Sequence, residues 1–79
     1  MKLVLASAKW CGPCQVIKLR LKSEDLTDKV EVKDADLDTD FFKKNSLRSV
    51  PRLLVMDGDE IIETIQGADD IISRIKLGS

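Results

Sequence analysis

Seventy-nine residues, 43% of them apolar and 34% charged with only 4 Gly and 2 Pro, describe one globular domain spanning residues 1–79, not a disordered or fibrous chain. Thirteen basic against fourteen acidic residues leave a net charge of -1, without the basic excess that a nucleic-acid partner requires. The absence of histidine excludes Ser/His and Cys/His catalytic pairs and removes the usual zinc ligand.

Lys2 to Ala6 is a short, almost continuous apolar run, which predicts a strand covered on both faces. With Ala6-Ser7-Ala8 it imitates a secretory leader. The run falls short of the roughly 7 to 15 apolar residues of such a leader, and no stretch approaches the roughly 18 of a membrane span. The expectation is an uncleaved, cytoplasmic, soluble monomer without membrane contact. Pro13 suits the first turn of a helix, in which Cys14, Ile17 and Leu21 form a stripe with Val16 and Leu19 beside it, ending near Lys22. Val30 and Val32 alternate with Glu31 and Lys33 as a half-buried strand, so strand, helix and strand form one right-handed crossover unit.

Asp36, Asp38 and Asp40 imitate a calcium loop, but Phe41 stands where the glycine is required and Leu47 where the bidentate glutamate is required, so no metal site is expected. Asp38 or Thr39 is expected instead to cap a short helix through Phe41, Phe42 and Asn45. Leu53 to Met56 and Glu60 to Ile65 flank Asp57-Gly58-Asp59 as two antiparallel strands. Gly67 breaks the pattern, Asp69 caps the next helix, Ile71, Ile72 and Ile75 make its buried stripe, and Gly78 ends it. The expected architecture is α/β, in the order βαβαββα: a four-stranded mixed sheet with three helices.

The chemistry is concentrated at Cys11 and Cys14, the only cysteines. A bridge closing so short a loop is worth on the order of 2 kcal/mol in the chain-entropy model, against roughly 4 for one spanning most of the chain, so stability does not explain the spacing. A small ring at a helix start opens and closes without disturbing the fold, as a redox carrier requires. The other readings are a passive disulfide, or half of a zinc or iron-sulfur site completed by a second chain. Unpaired backbone N–H groups and the positive helix end favour a thiolate at Cys11, which makes it the nucleophile. Cys14, one turn inside, suits the resolving step. Gly12 admits a foreign chain, Pro13 stiffens the ring, and Lys9, Arg48 and Arg52 add positive potential if the fold brings them near.

Trp10-Cys11-Gly12-Pro13-Cys14 resembles the active-site signature of the thioredoxin family, and the element order resembles that family's minimal fold. The resemblance implies a dithiol-disulfide oxidoreductase that reduces protein disulfides, such as that of ribonucleotide reductase, and needs no cofactor besides the Cys11–Cys14 disulfide. It implies thioredoxin reductase or glutathione as electron donor. In Leu47-Arg48-Ser49-Val50-Pro51 it implies a cis Val50–Pro51 bond facing the disulfide, with Val50 offering its backbone to an extended substrate. The implied substrate surface is Trp10, Gly12, Pro13, Val50, Pro51, Arg52 and Gly67; Trp10 either covers the disulfide or simply packs. Two features depart from the family: Leu5 occupies the place of a buried aspartate, and the family's extra N-terminal strand and helix do not precede Lys2. Gly67-Ala68-Asp69-Asp70 is similar to the segment where glutaredoxins hold glutathione, which implies contacts from Asp69 and Asp70 in a glutathione-dependent alternative. A non-catalytic partner subunit is a third reading.

Overall fold

The apolar run at the start of the chain becomes the strand β1 (Lys2–Ser7), with five of its six residues buried. The structure, a computed structural model, describes residues 1–77, so the expected helix stop at Gly78 lies outside the described residues. After β1 come α1 (Gly12–Ser23), β2 (Glu31–Asp34), α2 (Thr39–Lys44), β3 (Arg52–Asp57), β4 (Glu60–Ile65) and α3 (Ala68–Leu77), with one 3-10 turn at Thr27–Lys29. The sheet order is β2-β1-β3-β4; β2 runs parallel to β1, and β3 and β4 are antiparallel to their neighbours. This is the four-stranded mixed sheet with three helices that the sequence predicts.

Alternation along β1 and β3 divides the core. Leu3, Leu5, Leu53 and Val55 face Ile17 and Leu21 of α1 and Ile71, Ile72 and Ile75 of α3. Val4, Leu54 and Met56 face the other way, where Phe41 and Leu47 pack from α2 and its following loop. Gly58, at φ +63°, supplies the left-handed residue of the tight link between β3 and β4.

Four expectations are corrected. Val32 is 43% exposed, because it lies on an edge strand, and only Val30, just ahead of β2, is buried. Val16 and Leu19 lie on the solvent side of α1, outside its stripe of Cys14, Ile17 and Leu21. Asp38 stands at the N-cap position of α2 and its carbonyl accepts the Phe42 N–H at 3.2 Å, but its side chain makes no cap bond, since Oδ2 accepts the Asp34 N–H at 2.9 Å. Asp69 lies inside the first turn of α3; the Gly67 carbonyl, at φ +91°, accepts the Ile71 N–H instead, and the Asp69 carboxylate pairs with Arg20 at 3.0 Å.

Candidate active site

The turn from β1 into α1 sets the two sulfurs. Cys11 is the N-cap of α1 in extended conformation, and Gly12 and Pro13 begin the helix, where the missing proline N–H costs no bond. Cys11 and Cys14 are joined as a disulfide, with Cα atoms 5.3 Å apart. Cys11 is 7% exposed and Cys14 is fully buried, so of the two residues only Cys11 reaches the surface. The Cys14 backbone N–H donates to the Cys11 sulfur at 3.3 Å, a free donor of the helix start used on the group that would carry negative charge when reduced. A Cβ at Gly12 would meet nothing within 4 Å, so the folded chain itself does not require glycine there.

The segment from Ala8 to Cys11 is held from α1. The Gln15 side chain donates to the Ala8 carbonyl at 3.0 Å and the Lys9 carbonyl at 3.4 Å, and the Cys11 N–H donates to the Ala8 carbonyl at 3.2 Å. Two loops from elsewhere in the chain close over the cysteines: Ala35, just after β2, and Val50, just before β3, pack against Ala8, Cys11 and Cys14. The Asp34 carboxylate shapes the first loop by accepting the N–H groups of Asp36 at 2.8 Å and Leu37 at 3.3 Å. In the second loop the Val50–Pro51 bond is cis, and Arg52 donates to the Ser49 hydroxyl at 2.9 Å. The Ser7 hydroxyl, at the end of β1, is buried without a partner among the described residues.

The tertiary structure thus brings together Cys11, Cys14 and Val50, with Gly12 and Pro13 in the first turn and Pro51 and Arg52 directly after Val50. Trp10 is 70% exposed and does not join the core. The Asp69 carboxylate is exposed and pairs with Arg20 at 3.0 Å. Asp70 lies beside Gly67, with Oδ2 3.9 Å from where a Cβ would stand. Lys9 and Arg48 are exposed. Sequence reasoning missed Ala8, Gln15, Asp34 and Ala35. Only Asp34 leaves a local signal, an aspartate at a strand end able to bond the N–H groups that follow it.

Comparison with known proteins converges on one family. The Thioredoxin family model matches residues 1–76. The thioredoxin of Bacillus subtilis (strain 168) is 34% identical over 64 residues, covering 76% of this chain and 62% of that relative. The chain therefore spans less than two thirds of the length of this curated relative. The structure of the Malassezia sympodialis thioredoxin superposes with a TM-score of 0.73 at 23% identity, covering 96% of this chain and 72% of that one. The oxidised thioredoxin of Plasmodium falciparum gives a TM-score of 0.71 at 23% identity over 99% of this chain and 83% of its own, a likeness of fold. A mutant thioredoxin of Halobacterium salinarum NRC-1 gives 0.65 at 26% identity, covering 98% of this chain and 72% of that one.

Proposed function

The chain belongs to the thioredoxin family, and from that membership we propose that it is a dithiol-disulfide oxidoreductase that reduces protein disulfides through Cys11 and Cys14. The observation that carries the reading is the asymmetry of the pair. Cys11 sits at a helix N-terminus with a backbone donor on its sulfur and reaches the surface, and Cys14 is one turn inside and fully buried.

In the reduced protein the Cys11 thiolate attacks one sulfur of a substrate disulfide, and a mixed disulfide forms while the other substrate sulfur leaves as thiolate. Cys14 then attacks the Cys11 sulfur. The Cys11–Cys14 disulfide forms, the mixed disulfide breaks, and the second substrate sulfur leaves; the Cys14 proton ends on a substrate thiol. Two electrons pass from the protein dithiol to the substrate, and an external reductant returns them. No cofactor beyond the disulfide enters this chemistry. Trp10, Gly12, Pro13, Val50, Pro51, Arg52 and Gly67 form the proposed substrate surface.

The proposed partners are disulfide proteins of the ribonucleotide reductase kind and a thioredoxin reductase as donor, acting on a cytoplasmic monomer. The family match supports the reductase over glutathione. A reducing compartment is where such a pair cycles. The test is reduction of a protein disulfide by catalytic amounts of the chain with excess dithiothreitol, beside a variant lacking both cysteines. Turnover lost with both cysteines supports the reading; a function that survives their loss supports a partner subunit. Efficient turnover with glutathione but none with a thioredoxin reductase replaces this donor by the glutaredoxin type.

A further inference from the structure

Arg52 follows the Val50–Pro51 segment that reaches the disulfide, and it has no counter-ion among the described residues. Its backbone opens β3 opposite Ala6 of β1, on the sheet face that carries Val4, Leu54 and Met56. It follows Pro51 and is two residues from Val50, which packs on the cysteines. Its Nε is buried with no hydrogen-bond partner, and one Nη2 hydrogen is used on the neutral Ser49 hydroxyl, a bond that lies at the exposed surface. Among the described residues no carboxylate comes within ion-pair distance of it, although Arg20 has two and Arg74 has one. A partly desolvated, tethered cation without an anion is an unfavourable arrangement that a bound carboxylate relieves.

The stretch of chain leading into Arg52 carries charge of the same sign, whereas the loop at Ala35 that packs on the same cysteines is flanked by Asp34 and Asp36. Residues 43–52 carry Lys43, Lys44, Arg48 and Arg52 and no acidic side chain. Lys44 reaches Asp59 at 4.0 Å, whereas Lys43 and Arg48 have no ion-pair partner among the described residues. Tethering by Ser49 fixes the fork in orientation, and burial of Nε leaves the two terminal nitrogens to meet a ligand end-on.

We propose that Arg52 selects substrates, receiving the side-chain carboxylate of an aspartate or glutamate next to the cysteine of the disulfide being reduced. The proposal rests on the oxidoreductase reading and names its substrate class as protein disulfides with an acidic neighbour. A carboxylate could also come from the ends of glutathione; the commitment here is to the protein side chain, since glutathione is the less favoured donor.

The experiment measures second-order rate constants for reduction of two cyclic disulfide peptides that differ only in Asp or Asn beside one cysteine. The wild-type chain is expected to prefer the Asp peptide by about fivefold at low salt, the size of one exposed ion pair, and less at high salt. Arg52→Gln removes the preference and Arg52→Glu turns it toward the Asn peptide, while Arg48→Gln, which alters only general charge, keeps most of it; thermal melts confirm folding of each variant. Equal rates on the two peptides with the wild-type chain overturn the role of Arg52 without touching the oxidoreductase reading, and this outcome needs no variant. Failure to reduce either peptide overturns both. In a separate arm, a glutathione reaction slowed by Arg52→Gln, with no peptide preference, moves the carboxylate to glutathione and overturns the assignment to a protein side chain.

Discussion

The Cys14 backbone N–H points at the Cys11 sulfur across 3.3 Å, so the helix that buries the second cysteine also solvates the first. The same turn lets Cys11 reach the surface and buries Cys14. This division of roles sets the first prediction. Cys14→Ser is expected to accumulate mixed disulfides with substrate, and Cys11→Ser to form none. In the reduced single-cysteine variants iodoacetamide should alkylate Cys11 at least about tenfold faster than Cys14, since thiolate fraction and access both favour it. Equal alkylation rates overturn the assignment.

Asp34 is 8% exposed and holds the loop that lays Ala35 on the disulfide. Asp34→Ala removes the acceptor of two backbone N–H groups, and a loss of about 1 to 3 kcal/mol in urea unfolding is expected. Asp34→Asn keeps an acceptor oxygen and should recover most of that loss. An alanine variant as stable as the wild type would show that the bonds contribute nothing.

Leu5 is fully buried between α1 and α3 on the central strand. Leu5→Ala is expected to cost about 2 to 5 kcal/mol, the transfer term plus the cavity left behind. The urea midpoint should fall with little change in slope. A loss below about 1 kcal/mol would mean that α1 and α3 collapse into the space.

Glu24 closes α1 against α3, accepting from Lys76 at 2.6 Å and pairing with Arg20 at 3.4 Å. The Lys76 hydrogen bond is the largest cause that holds its carboxyl below the ordinary value of 4.5; desolvation opposes it, and the Lys76 and Arg20 charges and the Arg20 hydrogen bond add smaller lowering effects. A carboxyl lowered in the folded state stabilises the fold above the unfolded value and loses that contribution as pH falls through the folded one. Stability measured from pH 6 to pH 2.5 should therefore drop less steeply below about pH 4.5 in Glu24→Gln than in the wild type. Parallel curves would remove Glu24 from the acid response. Salt should weaken the difference, because the pairs are at the surface.

The order of strands and helices, the buried stripes of α1 and α3, and the Cys11–Cys14 pair at a helix start were all legible in the sequence, because each is a local matter of side-chain periodicity or of the backbone donors left free at a helix end. The tight link at Gly58 belongs with them, since a left-handed residue between two strands leaves a local mark. Only the tertiary structure decided that Ala35, 15 residues from Val50, joins it against the same disulfide, that Asp69 meets Arg20, and that Val32 faces solvent. Those outcomes depend on which strand is central and which is an edge, and on which loops emerge at one end of the sheet. Strand order and register are set by the joint burial of both sheet faces, and no window of neighbouring residues contains that information.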